Sequence, residues 1–406
     1  MSDTPRFVLD IGSSKIAGLA VVRSDGGRTR VLAGSFGPSN GVHRGAVVDA
    51  DEAAQAISTA VAALEAKTSH AATSLSVSVG GSHLRCTESR GVMPIYPAKR
   101  VLRSEDVMSV IQHSRQAILP PGREQLHASP KWFRVDGGDP VGDVVGQKCS
   151  RLEVSTLLVT ADSKTLERTE HAVRIGGREV GEVAPVPLAS ALGCAPSSAI
   201  EQGCVVIDIG AGTTSVAVFS EGSIGYVGCL PVGSEHVTND IATLLKVDRD
   251  EAERLKLEHG VATADSVGGR EAIQVHQPGT SDSRPVQRRV LCEVIESRLR
   301  EIAQQVCQIM GPSRSPETLE GGMWLTGAGS QMPGLEELFA EETGIGLPTM
   351  AGRTVGKDGR PSPAMSVVIG LAKYALAGED AELAPVSGAH SWRERVRSLR
   401  AFLQPT

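Results

Sequence analysis

Phe7-Val8-Leu9-Asp10-Ile11-Gly12-Ser13-Ser14-Lys15-Ile16-Ala17-Gly18-Leu19-Ala20-Val21-Val22 places two apolar runs on either side of a polar, glycine-containing turn. Such a pattern predicts a β-hairpin. Half a chain later, Cys204-Val205-Val206-Ile207-Asp208-Ile209-Gly210-Ala211-Gly212-Thr213-Thr214-Ser215-Val216-Ala217-Val218-Phe219 repeats it, with Asp-Ile-Gly and small hydroxyl residues again between apolar runs. One recurrence at that distance, unlike the short period of a solenoid, implies two halves of related architecture facing each other across a cleft.

The composition suits this reading. The chain has 406 residues, 40% of them apolar, 3% aromatic and 22% charged, with a net charge of -6. That balance excludes a disordered chain and predicts two or three domains with cores built mainly from Val, Leu, Ile and Ala. An acidic total lacks the Lys/Arg footprint of a nucleic-acid binder. Seven cysteines form no CxxC pair, so no zinc knuckle or redox motif is expected and the thiols read as reduced. Neither a secretory signal nor an apolar run of membrane-spanning length is expected, and the site of action read from this is the cytoplasm.

Between the hairpins, Asp51 to Ala66 reads as a helix. Leu75, Val77 and Val79 form a strand ending at Gly80-Gly81, and the Pro- and Gly-rich region Met93 to Gly146 precedes another strand, Arg151 to Val159. This stretch reads as a small inserted domain. Asp162 to Ile175 is a helix that Gly176-Gly177 stops. Beyond the second hairpin, Glu235 to Leu245, Arg249 to His259 and Val290 to Met310 read as helices, and Ala262 to Pro285 as irregular. Met323 to Thr326 is a short strand running into Gly327-Ala328-Gly329, and Pro363 to Ala377 is the last helix of the body.

In each hairpin turn, glycine lets backbone N–H groups approach phosphate oxygens, and Ser13, Ser14, Thr213 and Thr214 add hydroxyl donors beside Gly12, Gly210 and Gly212. Mg²⁺ keeps most of its waters and is held through one or two carboxylates together with phosphates. Asp10 and Asp208 are therefore its expected holders, through water, with Lys15 reaching the outer phosphates. Gly327, Ala328 and Gly329 form a third approach point, for a nucleoside or α-phosphate. Glu253 and Lys256, one helical turn apart, suit a ribose and an adenine edge. The bland alternatives are tight turns whose aspartates bond their own backbone, and a surface ion pair. The expected cofactors are ATP and Mg²⁺.

Two Asp-Ile-Gly turns, the late Thr326-Gly327-Ala328-Gly329 and the intervening Glu253 and Lys256 resemble the superfamily of actin and the heat-shock chaperone ATPases. Within it, the chain is similar to the FtsA family of bacterial cell-division proteins through Gly41 to Asp49, Ser76 to His83, Pro140 to Gly142, Arg284 to Arg288, Glu293 to Arg298 and Val368 to Leu371. The resemblance implies an α/β, actin-like two-lobed fold of duplicated ribonuclease-H-like domains with an inserted small α+β subdomain. Its expected divisions are 1–79 and 161–202 for subdomain IA, 80–160 for the insertion IC, 203–234 and 321–377 for IIA, and 235–320 for IIB. A linker at 378–390 and a tail at 391–406 complete them.

Active members of the superfamily place Glu or Gln just before a Pro-containing small-residue helix, here Pro187-Leu188-Ala189-Ser190-Ala191. The corresponding position is Val186, which cannot orient water, so slow or undetectable hydrolysis is expected and no catalytic residue is assigned.

From Ser391 the tail reads as a basic amphipathic helix. Trp392, Val396, Leu399, Phe402 and Leu403 gather on one side and Arg393, Arg397 and Arg400 on the other, with Arg395 near the apolar edge. Four arginines against Glu394 give the tail +3, so the body carries -6 - 3 = -9. An anionic membrane surface would attract the tail, at about 1 kcal/mol per arginine, and repel the body. A helix docked on its own body, or a calmodulin-like target, is the alternative.

Arg284, Arg288, Arg289 and Arg298 flank the start of the long helix. By themselves they read as a solvated face, whereas the resemblance implies that this surface receives the C-terminal peptide of the tubulin-like FtsZ. It further implies head-to-tail polymerisation through an open, repeating contact, a place on the cytoplasmic face of the bacterial inner membrane at midcell, and recruitment of other division proteins. A small-molecule kinase on the same scaffold, or a pilus-assembly relative without need of the basic tail, is the competing expectation.

Overall fold

The computed structural model describes residues 4–23, 29–279, 282–311, 318–347 and 362–377. The linker and amphipathic tail expected at 378–406 lie outside the described residues.

The first hairpin forms as the sequence predicts. β1 (Arg6–Ile11) and β2 (Lys15–Arg23) are antiparallel with Asp10 opposite Ala17, and the Gly12 N–H donates to the Lys15 carbonyl at 3.0 Å to close the turn. β3 (Thr29–Pro38) extends the sheet beyond β2. The loop 41–49 carries the short pair β4 (Val42–His43) and β5 (Ala46–Val47). Asp49 then caps α1 (Ala50–Thr68), accepting from the Asp51 and Glu52 amides, both at 3.0 Å. This helix buries Ile57, Val61 and Leu64, the apolar positions whose three- and four-residue spacing announced it. β6 (Ser74–Val79) runs parallel to β1.

The insertion comprises β7 (Arg85–Pro94), β8 (Arg100–Val101), α2 (Ser104–Arg115), β9 (Arg123–Val135), β10 (Lys148–Cys149) and β11 (Arg151–Asp162). A three-stranded antiparallel sheet, β7-β11-β9, is covered on one face by Val107, Val110 and Ile111 of α2. The Pro- and Gly-rich region 93–146 of this insertion contains β8, α2 and β9. Its prolines and glycines punctuate the loops around those elements, and Pro130 sits beside a β-bulge.

The chain returns through α3 (Ser163–Ile175), β12 (Glu179–Pro185), α4 (Val186–Cys194) and α5 (Ser197–Glu201), completing a five-stranded sheet, β12-β6-β1-β2-β3. The second lobe repeats the plan with β13 (Val205–Ile209), β14 (Thr214–Ser220) and β15 (Ser223–Leu230), Asp208 now opposite Ser215. Then follow α6 (Ser234–Leu245), α7 (Arg249–His259), β16 (Ala272–His276), β17 (Ser283–Gln287), α8 (Arg288–Met310), β18 (Met323–Thr326), α9 (Leu335–Thr343) and α10 (Ser366–Ala377). β18 runs parallel to β13, giving a four-stranded sheet, β15-β14-β13-β18. Two corrections fall here. The region read as irregular contains the β16–β17 hairpin, whose polar outward residues hid its alternation, and α8 starts at Arg288, not Val290.

Each lobe has its own core, and a third core lies between them. Leu188, Ala189 and Ala191 of α4 and Val368, Leu371 and Ala372 of α10 pack with Val8, Ala17 and Leu19 from the first sheet and Val206, Ala217 and Phe219 from the second. The two helices approach through glycine: a methyl group on Gly193 would collide with the Ser366 carbonyl, and one on Gly370 with the Ala189 carbonyl. Gly370→Val should therefore lower the unfolding midpoint, by about 3 kcal/mol or more in stability. Gly142→Ala, where nothing lies within 4 Å, should leave it unchanged. Chemical denaturation of the two variants checks this.

Candidate functional site

The two hairpin turns meet at one cleft of about 650 Å³, open to solvent and walled by Asp10 to Lys15 from the first lobe and Asp208 and Gly210 to Thr213 from the second. A methyl group on Gly212 would lie 2.9 Å from Ser13 Oγ, so the turns touch; Ser13 Oγ also accepts from the Gly45 amide at 3.0 Å. Gly327 and Ala328 close the far side, with Pro363, Ala364 and Val367. Gly327 has φ +85° and presses against Asp208, a conformation and a closeness that exclude a side chain.

The electrostatics follow from burial. Asp10 and Asp208 are each 6% exposed. Burial raises the Asp10 carboxyl above its ordinary value, against the opposing pull of a 2.8 Å hydrogen bond from Ser78 Oγ and the Lys15 charge. Asp208 is pushed up to about 7, by burial first and by repulsion from Asp10 second, with Lys15 opposing. Lys15 is lowered by burial and held up by both carboxylates. Its ammonium donates to the Ala364 carbonyl and lies 5.5 Å from the Phe36 ring centroid. Two buried carboxylates with one lysine between them form a cavity that lacks positive charge, as holders of a divalent cation with phosphates would. No group of three His, Cys, Asp or Glu side chains fit to hold a metal occurs among the described residues.

Other expected site residues stand differently. Thr214 is buried away from the cleft and donates to the Val232 carbonyl at 2.8 Å, and Gly329 packs on Ile209. Glu253 and Lys256 do not line the cleft; they pair at 2.6 Å, with Thr238 Oγ1 2.5 Å from Glu253 and 2.9 Å from Lys256 Nζ. Lys256 Nζ also donates to the Ser234 carbonyl at 3.4 Å, and Ser234 adjoins Gly329. Val186 does line the cleft, against Gly80. Sequence reasoning missed Ser78, Gly80, Ser215 and Val367. The alternating serines ahead of Gly80-Gly81 were the available signal, since a serine inside an apolar strand needs a polar partner.

All four arginines at the start of α8 are partnered within the molecule. Arg284 donates to the Leu245 carbonyl at 2.7 Å. Arg288 pairs with Glu271 at 2.8 Å, Arg289 with Asp265 at 2.7 Å and Arg298 with Asp240 at 2.6 Å.

Fold and cleft together define an actin-like two-lobed protein with an inserted subdomain. Among solved structures, the PilM-PilN type IV pilus biogenesis complex aligns at TM-score 0.62 with 17% identity, covering 92% of this chain and 99% of that one. MreB5 of Spiroplasma citri bound to ADP aligns at 0.56 with 12% identity, covering 93% and 97%. The model of the cell division protein FtsA family matches residues 205–370, and that of the SHS2 domain inserted in FtsA matches 81–160. The cell division protein FtsA of Borreliella burgdorferi is 32% identical over 371 residues, 90% of this chain and 89% of that protein. The chain belongs to the FtsA family of cell-division proteins.

Because the raised carboxyl of Asp208 holds its proton in the folded protein to about pH 7 and in the unfolded chain only to about 4, folding binds a proton in that window. Stability without metal or nucleotide should thus fall as pH rises from about 4 through 7, by an amount on the order of 4 kcal/mol from this group. In Asp208→Asn that loss should disappear. Denaturant melts of both proteins in chelator across this range measure the difference.

Proposed function

We propose that this protein binds Mg²⁺-ATP between its lobes, polymerises in an actin-like manner and attaches FtsZ filaments to the cytoplasmic face of the inner membrane, where it recruits later division proteins. The observation that carries the reading is the convergence of Asp10, Asp208 and Lys15 on one cleft between two glycine-bearing turns. A bound Mg²⁺ would supply the positive charge that lets both carboxylates ionise and the phosphates approach them. The chain's own groups do the rest: turn amides and Ser13, Ser14 and Thr213 cradle phosphate, Lys15 leaves the Ala364 carbonyl for the outer phosphates, and Gly327-Ala328 admits the nucleoside end. Glu253 and Lys256, beside Thr238 and Ser234 instead of in the cleft wall, are assigned to the ribose and base.

The cleft offers apolar Val186 where the superfamily orients water, so nucleotide serves as cement between lobes. Asp10→Asn and Asp208→Asn should each weaken Mg²⁺-ATP binding at least tenfold by calorimetry. Turnover should lie far below the roughly 1 to 100 per second of kinases; a rate inside that range would overturn the cement role.

No helix among the described residues is long and apolar enough to cross a membrane, and attachment is assigned to the basic amphipathic tail. FtsZ docking is assigned to Arg284, Arg288, Arg289 and Arg298. The Arg289–Asp265 pair is at the surface, Asp265 being 92% exposed on its side chain, so there an acidic peptide can exchange for the internal carboxylate at little cost. On anionic liposomes, the full chain should sediment and bring FtsZ with it. Removal of residues 391–406 should abolish both, whereas Arg288→Glu with Arg289→Glu should lose FtsZ alone.

A further inference from the structure

The inserted sheet has a second face that α2 does not cover. At one end it joins the interlobe core through Leu157 and Val159, and His127, opposite Val159, meets Tyr374 of α10 with Nδ1 3.4 Å from the hydroxyl. Towards the other end that cover stops. Arg90, Ser155 and Trp132 stand side by side across the three strands, and Val92, Glu153 and Arg134 form the next row; Val92 is 41% exposed.

The charges of this face do not cancel. Glu88 is taken by Lys131, and Glu153 by Arg151 at 3.1 Å. Arg90 and Arg134 form no ion pair among the described residues. Their guanidinium groups lie 6.0 and 4.6 Å from the Trp132 ring centroid, an attraction that holds them over the indole without neutralising them. Beneath them the hydroxyl of Ser155, fully buried, has no hydrogen-bond partner, and neither has Arg134 Nε. Two guanidinium groups held over an indole with no carboxylate partner among the described residues leave donors free for an acceptor. The arginines of α8 differ in this respect, since each already has one.

We propose that this face docks an acidic peptide, one of whose carboxylates sits between Arg90 and Arg134 above Trp132 and accepts from them, while a neighbouring apolar side chain packs on Val92 and the indole. Planar guanidinium groups suit this bidentate recognition. Because the body carries -9, an acidic peptide is repelled over most of the surface, and the local excess of positive charge selects where it binds.

The probe is a fluorescein-labelled Glu-Glu-Leu-Glu-Glu-Leu peptide, its counterpart with Gln for Glu, and the full chain in fluorescence anisotropy. The Glu peptide should bind at least tenfold more tightly than the Gln peptide. Arg90→Gln with Arg134→Gln should remove at least tenfold of that affinity at unchanged melting temperature, and Trp132→Ala at least threefold. These affinities are compared in the Arg288→Glu, Arg289→Glu background, so that the arginines of α8 do not contribute. Equal binding of the two peptides, or full affinity in the Arg90/Arg134 variant, would overturn the proposal. So would a change in self-association of that variant by sedimentation with peptide binding intact, which would make the face a contact between copies.

Discussion

The close crossing of α4 and α10 sets the geometry of everything else. Glycine at 193 and 370 lets two backbones touch where any side chain would collide with a carbonyl, and the helix pair so formed is buried against both sheets at once. Both helices also begin at the cleft, α4 at Val186 and α10 just after Pro363–Met365. The spacing of the two acidic turns is therefore a packing distance, defined by close-packed side chains that tolerate little displacement. A soft interface would let the lobes drift, and two like charges would drift apart.

That last tendency gives the cleft its character. Asp10 and Asp208 are placed where water cannot fully solvate them and where Asp10 disfavours ionisation of Asp208. Lys15 offsets part of this but is itself desolvated. The carboxylate pair by itself is electrostatically incomplete, and under the proposed function a divalent cation with its phosphates would complete it. Val186 contributes neither charge nor hydrogen bond to the same wall, which suits holding a ligand better than transforming it.

Elsewhere the distribution of arginines separates two kinds of surface. Around α8 each named guanidinium has an internal acceptor, a carbonyl for Arg284 and a carboxylate for Arg288, Arg289 and Arg298, so binding at those three would exchange one anion for another. On the open face of the insertion, Arg90 and Arg134 rest on an indole, with unbonded donors beneath. Both look alike as charge counts; only their neighbours distinguish them.

Local pattern determined much of this protein. Asp-Ile-Gly between apolar runs forms a hairpin wherever it stands, because alternation and a glycine turn act within a dozen residues. The periodicity of Ile57, Val61 and Leu64 likewise suffices for α1. Helix α2 and the β16–β17 hairpin were less legible, because flanking prolines, glycines and polar side chains swamp short apolar signals. What only the tertiary structure decided are relations between distant residues: that Thr214 turns inward to Val232 while Thr213 faces the cleft, that Glu253 and Lys256 bond each other and Thr238, and that Asp208 is buried, and close enough to Asp10, to resist ionisation. Burial and Coulomb interaction depend on distance in space, and chain order carries that distance only where the fold is local.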